Sequence, residues 1–338
     1  MTRYGLFAAL LATAILSMHA AYAEERTAPE VVVTIKPVHA LVAMVMEGIA
    51  IPGLLVEGKA SPHSFSLRPS DAHALAGADV FVRVSPSVEP FTVRLAETLP
   101  SKTKLVTLAE TPGLHLLKLR TGTAFEAHEH GDHGDHEGAH EHSKDHDGAV
   151  AEKREEDHEH GHEHDADGVD GHIWLDPDNA KAIVLHVADT LASLRPDLKE
   201  KLDANAARAV AKIAALDAEL QPALSAAKGK PFIVFHDAYQ YFESHYGMRA
   251  AGAITLNPEV KPSARRLSEI RATLKATGAR CVFAEPQFSP RIVATVIEGT
   301  AAKAGTLDPL GVDIAPGPGQ YEQMMRAISK SMTECLGG

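Results

Sequence analysis

The sequence predicts an α/β fold: two (β/α) lobes, each a parallel sheet layered with helices, joined by helix. Three observations predict it. Short apolar or β-branched runs alternate with helical segments before residue 120. Two long stretches with helical apolar spacing then occupy roughly 177–222, and the alternation of strands and helices resumes afterwards. Short apolar strands separated by helical segments are typical of parallel sheets.

The first half contains four predicted strands. The β-branched run from Val31 to Ile35 opens it and leads into a helical segment that ends near Gly48. Three further apolar runs are bounded by Gly, Pro or helical pieces and predict the other buried strands: "IPGLLVEG", "ADVFVRVSP" and "TKLVTLAE".

Two long helices are predicted in the middle of the chain. Asp176 followed by Pro177 marks the start of the first, because a short polar cap before a proline is a common helix beginning. Both helices carry one apolar face at helical spacing. The residues of these faces are Ile183, Val187, Leu191 and Leu194, then Leu202, Ala206, Ala209, Ile213, Leu216 and Leu220. We expect one of the two helices to bridge the lobes.

The last third repeats the strand and helix alternation. Its predicted strands are "KPFIVFHD", "AAGAITL", "RCVFAEP" and "GTLDPLG". Helices are predicted from Ala238, over 264–276, over 292–304 and over 321–335. The expected organisation is a signal peptide at 1–23, an N-terminal lobe at 24–177, a linking helical region at 178–222 and a C-terminal lobe at 223–338.

The N-terminus has the pattern of a secretory signal peptide. Arg3 precedes an apolar run that ends in Ala21-Tyr22-Ala23, which predicts cleavage after Ala23. The run is shorter than the ~20 residues that a membrane span needs. No cysteine precedes Cys281, so the chain lacks the acceptor of a lipoprotein. We therefore expect a soluble protein outside the cytosol.

The chain has only two cysteines, Cys281 and Cys335. Two thiols in an exported protein favour one disulfide, which would tie the C-terminal segment to an internal strand. Two free buried thiols are the alternative.

Residues 121–170 form an acidic histidine-rich insert without periodic apolar residues, which predicts a disordered loop. Within 126–170, 17 acidic residues face 3 basic ones, a net charge of −14 against −12 for the whole chain. The remainder is almost neutral and has no basic patch, which excludes a nucleic-acid-binding protein. Eleven of the 20 histidines lie here as candidate low-affinity metal ligands: His128, His130, His133, His136, His140, His142, His146, His158, His160, His162 and His164.

One segment of the insert, "HEGAH" at 136–140, matches the H-E-x-x-H pattern of zinc peptidases. That chemistry requires both histidines on one helical face with the glutamate as general base. Gly138 lies in the middle and no apolar periodicity surrounds the segment. A chance match in a region rich in His and Glu explains it better.

Three histidines outside the insert are candidate ligands. His236 ends an apolar strand, and ligands of parallel sheets bind at the carboxyl ends of strands. His63 lies in a loop of Gly, Ser and Pro, and His172 lies where the insert gives way to folded sequence, near the sole tryptophan, Trp174. Each of the two loop histidines, taken alone, is equally consistent with an ordinary surface residue. His245 and His186 lie within helical segments and are interpreted as bystanders.

Carboxylates occupy neighbouring strand ends. Glu285 follows "CVFA" and Asp308 lies in "TLDPLG", where each either faces the cleft or caps a helix. Asp237 is in a position to cap the helix after His236. Three imidazoles with one carboxylate or water suit tetrahedral Zn²⁺.

Five segments occur in an order that identifies a family: "SPHSFSLRPSD", "GHIWLDP", "FHDAYQYF", "CVFAEPQFSP" and "TLDPLG". The chain resembles the periplasmic zinc-binding proteins of bacterial ABC zinc importers, the cluster A-I solute-binding proteins, from end to end of its mature part. The resemblance implies two lobes joined by one rigid long helix, with the metal in the cleft between them. An acidic histidine-rich insert is itself a feature of the zinc-transporting members.

The resemblance also implies the ligands. His63, His172 and His236 match three metal ligands of the family, and Asp308 matches a fourth that several members use. Other members have a glutamate before the first histidine or a water, and here Pro62 occupies that preceding position. Water or Asp308 therefore remains for the fourth site. A family disulfide matches the two cysteines described above.

The resulting expectation is a monomeric capture protein and not an enzyme. It would bind one Zn²⁺ tightly, collect more zinc weakly on the insert, and deliver its metal to an ABC-type permease. A periplasmic zinc chaperone is a further candidate partner. The alternatives are a manganese-type subunit, disfavoured because manganese prefers oxygen ligands, and a metal-dependent hydrolase with Glu285 as base.

Overall fold

The computed structural model describes residues 28–121, 124–125 and 168–337. The predicted signal peptide and the eleven histidines of the insert lie outside these ranges, so their predictions stay untested.

A four-stranded parallel sheet forms the N-terminal part of the fold, with strand order β2-β1-β3-β4. Its strands are β1 (Val31–Val33), β2 (Gly53–Leu54), β3 (Val80–Arg83) and β4 (Lys104–Thr107). Helices α1 (Lys36–Val45), α2 (Pro69–Gly77) and α3 (Thr92–Thr98) connect them. The four strands fall within the four predicted runs. Valine dominates β1 and β3 because both strands are buried on both faces.

Two long helices follow, α4 (Pro177–Leu194) and α5 (Lys199–Ala223), separated by a short 3₁₀ turn, Pro196–Leu198. The α4 helix begins where the sequence predicts: the Asp176 side chain caps it by accepting from the backbone N–H of Asp178. The two helices pack against each other and against α1. All ten residues of α1 are buried, which makes it a central element of the core.

The C-terminal part repeats the parallel arrangement with strand order β6-β5-β7-β8. Its strands are β5 (Phe232–His236), β6 (Gly252–Thr255), β7 (Cys281–Ala284) and β8 (Lys303–Thr306). Its helices are α6 (Gln240–Tyr246), α7 (Ala264–Thr277), α8 (Arg291–Ile297) and α9 (Gln320–Gly337). The predicted α/β architecture with two parallel sheets is confirmed.

Two predicted boundaries in this part are wrong. The helix expected over 292–304 ends at Ile297, and Gly299 adopts a positive φ of 71° that terminates it. Strand β8 then begins at Lys303 and ends at Thr306 instead of running into "LDPLG". Strand pairing with β7 overrides the helical appearance of this segment.

One continuous apolar core runs from the first sheet through α1, α4 and α5 to α9. A smaller second cluster lies between α7, α8 and the C-terminal sheet. A disulfide joins Cys281 on β7 to Cys335 on α9, which confirms the predicted bond. Within the described residues, no helix combines the length and the apolarity that crossing a bilayer requires.

Candidate metal centre

His63, His172 and His236 meet at one point of the structure. One ring nitrogen from each lies within 4.8 Å of the others, and the ring centroids are 5.2 to 5.7 Å apart. His63 belongs to the loop between β2 and α2, His172 precedes a 3₁₀ turn (Ile173–Leu175) that leads into α4, and His236 is the last residue of β5. The point where they meet therefore lies between elements of both sheets.

Gly171 permits the approach of His172 to the end of the first sheet. A Cβ at this position would lie 2.5 Å from Cγ2 of Val88 and 2.8 Å from Oγ of Ser85. Both separations are below any real Cβ contact, so a larger residue would displace the segment. The glycine before His172 thus serves close packing.

Two buried carboxylates orient two of the histidines. Nδ1 of His172 lies 2.7 Å from Oδ1 of Asp170, and Nδ1 of His236 lies 2.6 Å from Oε1 of Glu285. Each imidazole donates its Nδ1–H to its carboxylate. Its Nε2 then carries no proton and has a lone pair available for a metal. A carboxylate partner of this kind also makes the imidazole a stronger metal ligand.

The two Nε2 atoms lie 3.3 Å apart. Two lone pairs at that distance repel each other unless a proton or a cation lies between them. Zn–N bonds of about 2.0–2.1 Å at a tetrahedral angle separate two nitrogens by about 3.3 Å. The arrangement of His172 and His236 therefore matches the spacing of two ligands on one tetrahedral zinc ion.

Electrostatics favour a neutral imidazole at His63. Burial, with the neighbouring His172 and His236, lowers the pKa of His63 to about 2. The ring thus stays neutral, with one nitrogen free of a proton and available for a metal. For His236, burial lowers the pKa, but the Glu285 carboxylate outweighs it and the net shift is upward.

Apolar and aromatic residues wall the site. Trp174 stacks at a tilt beside His172, with ring centroids 5.3 Å apart, and its Nε1–H donates to the carbonyl of Pro309 at 2.8 Å. Phe288 and Pro62 complete the lining near His236 and His63. These walls exclude water and strengthen electrostatic interactions inside.

Asp308 lies at the edge of this site with its carboxylate already engaged. Oδ1 accepts from the backbone N–H groups of Leu310 and Gly311 and from the Gln287 side chain, and Oδ2 accepts from the N–H of Val312. The group of mutually close donors among the described residues consists of the three histidines without Asp308. The observed role of Asp308 is to hold the 308–312 turn over the site.

The other strand-end acids have distinct contacts. Glu285 faces the cleft through His236, one of the two options that the sequence left open. Asp237 does not cap the next helix; it forms an ion pair with Arg120, which also bonds Glu243 at 2.6 Å. Arg120 thereby ties the chain at the border of the insert to the residue beside His236.

Sequence reasoning missed Asp170. It lies within the range interpreted as a disordered loop, but the structure pairs Val169 with Lys118 and buries Asp170 to 1% exposure. The prediction of disorder was wrong at this position. It was based on the average composition of the whole insert, which does not describe its last residues. The signal was present in the spacing: Asp170 is two residues before His172, so its carboxylate also accepts the His172 backbone N–H.

Comparisons with known proteins cover nearly the whole chain. A family model described as zinc-uptake complex component A, periplasmic (ZnuA) matches residues 31–335. A high-affinity zinc uptake system protein of Brucella abortus is 44% identical over 90% of this chain and 91% of its own length. The corresponding Yersinia pestis protein is 36% identical over 90% and 91%.

The chain also shares its fold with a solved structure. A solved ZnuA structure superposes with a TM-score of 0.69 at 22% identity, over 91% of this chain and 99% of that one, which shows a shared fold. The family model spans nearly all of the described residues, and the relatives exceed 30% identity over nine-tenths of the chain. This chain belongs to the family of periplasmic component A of zinc-uptake complexes.

Proposed function

We propose that this chain captures Zn²⁺ through Nε2 of His172, Nε2 of His236 and one ring nitrogen of His63. The observation that carries the assignment is the convergence of three imidazoles, two of them oriented by buried carboxylates with their Nε2 atoms 3.3 Å apart. The family supplies the role: a periplasmic solute-binding protein of zinc uptake, not an enzyme, that works with an ABC transporter permease.

The ligand chemistry supports zinc over manganese. Imidazole nitrogens suit Zn²⁺, whereas Mn²⁺ prefers carboxylate, carbonyl and water oxygens. Asp170 and Glu285 face the Nδ1 atoms of their histidines. They therefore orient the imidazoles as nitrogen ligands instead of serving as oxygen ligands themselves. We therefore expect zinc to be bound more tightly than manganese by several orders of magnitude.

Water and Asp308 are the two candidates for the fourth ligand. The four hydrogen bonds to the Asp308 carboxylate favour water, since ligation by Asp308 would require some of them to break. A site closed by water also releases its metal more readily, as delivery requires.

The rest of the assembly follows from this role. The export signal would be cleaved after Ala23, and the monomeric protein would carry zinc between lobes 24–177 and 223–338, linked by 178–222. The insert would collect further zinc weakly, aided by its net charge of −14, and a periplasmic zinc chaperone is a further candidate donor.

A competition titration tests the proposal. Zn²⁺ and Mn²⁺ are titrated against a chelator of known affinity, with the wild-type chain and with the His63→Ala/His172→Ala/His236→Ala variant. We expect one tight zinc site in the wild-type chain and its loss in the variant. Retention of that site in a folded variant would contradict the ligand assignment, and equal affinity for the two metals would contradict the zinc specificity.

Proton competition provides a second readout. Metal binding needs neutral imidazoles, so it releases protons from any ligand that is protonated in the free protein. Zinc affinity should fall as pH drops, because His236, whose pKa is raised by Glu285, becomes protonated. An affinity that does not change between slightly alkaline and mildly acidic pH would contradict ligation by His236.

A further inference from the structure

A second group of metal-ligating side chains lies outside the cleft. Asp176 and Asp178 belong to the beginning of α4, His245 to the last turn of α6, and Asp217 to α5. We call these four residues the α4–α6 cluster. One donor atom each from Asp176, Asp178 and His245 lies within 4.8 Å of the others. Apart from the cleft histidines, it is the only such group in the part of the chain that the structure describes.

His245 is held in the orientation of a metal ligand. Its Nε2–H donates to Oδ1 of Asp217 at 2.8 Å. Its Nδ1 faces Oδ1 of Asp176 at 3.0 Å and Oδ2 of Asp178 at 3.9 Å. A ligating histidine usually donates its second N–H to a carboxylate, as His172 and His236 do in the cleft. Asp217 plays that part here and leaves Nδ1 for a cation shared with the two α4 carboxylates.

The α4–α6 cluster has more negative charge than protonation of His245 can neutralise. Three carboxylates surround one imidazole, and Lys181 is paired to Asp178 at 2.6 Å. Even with His245 protonated, the group keeps one negative charge in excess. A divalent cation in place of the His245 proton would neutralise that charge.

A buried hydroxyl points to the same location. Tyr246 is fully buried, and its hydroxyl lies beside the Asp217 carboxylate without a well-aligned hydrogen bond among the described residues. Burial and the nearby carboxylates of Asp217, Asp176 and Asp178 raise the pKa of this hydroxyl. The oxygen of such a hydroxyl is a suitable neighbour for an ion or a water bound at the cluster.

We propose that Asp176, Asp178 and His245 form a second site for a divalent transition-metal ion such as Zn²⁺, with Asp217 orienting the imidazole. One nitrogen and two carboxylate oxygens fit the ligands of zinc. His115 extends the set: its Nδ1 lies 3.8 Å from Oδ2 of Asp176, and its exposed side chain can move. Water or His115 then supplies the fourth ligand.

We expect this site to be weaker than the cleft because an ion bound here has to replace existing ion pairs. Nδ1 of His245 lies 3.0 Å from Oδ1 of Asp176, and Lys181 is paired with Asp178.

Anomalous X-ray diffraction locates the metal directly. Crystals of the full chain are grown with Zn²⁺ at slightly alkaline pH, and data are collected on both sides of the zinc absorption edge. We expect one peak between the cleft histidines and a second at about 2.0–2.2 Å from Nδ1 of His245 and the carboxylates of Asp176 and Asp178. The cleft peak is the internal control: its loss concerns the proposed function, and loss of the second peak alone overturns this inference.

Solution measurements exclude binding that occurs only at crystal concentration. The imidazole ¹⁵N resonances of His245 are followed while Zn²⁺ is added beyond cleft saturation. We expect a saturable shift in the wild-type chain and in Asp189→Asn, an exposed change on the same helix. In Asp178→Asn, which removes an exposed carboxylate, the apparent affinity should fall by about tenfold or more. No shift at sub-millimolar zinc, or equal affinity in Asp178→Asn, would show an adventitious ion only and would overturn the proposal.

Discussion

Asp170 and Glu285 determine which nitrogen of each histidine faces the cleft. A neutral imidazole has one donor and one acceptor nitrogen, and the carboxylate at Nδ1 makes Nε2 the acceptor. Both acids are almost completely buried, at 1% and 3% exposure. Their burial strengthens these hydrogen bonds, because little water competes for them.

Replacing Asp170 should weaken zinc binding without unfolding the protein. Asp170→Ala removes the acceptor of the His172 Nδ1–H, and we expect a loss of about 10- to 100-fold in cleft affinity. Asp170→Asn keeps an acceptor oxygen but loses the charge, so its loss should be smaller. Chelator competition measures both, with the exposed Asp189→Asn as the matched control. Wild-type affinity in Asp170→Ala would show that Asp170 does not tune the site.

Glu89 is the residue for which we expect the clearest effect of pH on stability. It is completely buried, where it accepts from Thr34, from the N–H of Val84 at 2.7 Å and from the N–H of Ser85 at 3.2 Å. Burial raises the pKa of Glu89 to about 7 despite these donors. The folded protein therefore holds its proton more tightly than the unfolded chain, whose ordinary pKa is 4.5.

The contribution of Glu89 to stability should be complete below pH 4.5 and be lost as pH rises to about 7. Over that range, the free energy of unfolding of the wild-type chain should fall by about 3 kcal/mol relative to Glu89→Gln, which cannot ionise. Denaturant unfolding of both proteins at several pH values measures the difference. Parallel curves for the two proteins would contradict a raised pKa.

At the scale of elements, the carboxyl ends of neighbouring parallel strands bring residues of the metal site together. His236 ends β5 and Glu285 follows the adjacent strand β7, so neighbouring strands bring ligand and partner together although 49 residues separate them. The disulfide lies at the other end of β7, where Cys281 begins the strand. The metal site and the disulfide thus lie at opposite ends of the strands of one sheet.

Removing the disulfide should lower stability but leave zinc affinity almost unchanged. The bond closes a loop of 54 residues, for which chain entropy predicts a stabilisation of about 4 kcal/mol. We expect Cys281→Ala/Cys335→Ala to melt at least about 5 °C lower than the oxidised wild-type chain. Wild-type protein treated with a thiol reductant is the control and should melt near the variant. A zinc affinity that falls tenfold in the folded variant would show that the bond shapes the site.

At the scale of the whole molecule, the insert and the cleft are joined through a short paired segment. Lys118 and Val169 form an antiparallel bridge, and Tyr241 on α6 donates to the carbonyl of Asp170. Arg120 adds its ion pairs to Asp237 and Glu243. The borders of the insert are thereby fixed beside the site, independently of the residues between them.

Deleting residues 126–167 should leave one tight zinc site. The deletion keeps Arg120, Asp170 and the bridge between Lys118 and Val169, so the cleft keeps its supports. We expect the tight equivalent in a zinc titration to persist and the weak equivalents of the insert to disappear. Loss of the tight equivalent from a folded deletion variant would mean that the insert itself supplies a ligand.

Local patterns allowed most of the fold to be predicted. The apolar runs identified seven of the eight strands because buried parallel strands are made of nearly continuous β-branched and apolar residues. The run "GTLDPLG" overlaps β8 only at Gly305 and Thr306. The helix expected over 292–304 is too long because it ends at Ile297 and its last two residues, Lys303 and Ala304, pair with β7, and no local pattern encodes a partner strand. The three cleft histidines were predictable from strand ends and from the order of motifs that the family shares.

The sequence by itself determined the α/β architecture, the disulfide and the identity of the three candidate ligands, since strand-forming runs, cysteines and motifs are local. Only the tertiary structure decided what surrounds them. Asp170 and Glu285 became partners of histidines, Asp308 became the holder of a turn, and His245, interpreted as a bystander, came to lie among three carboxylates. Hydrogen bonds and charge clusters form between side chains that the fold brings together from distant positions, and sequence spacing does not reveal which ones will meet.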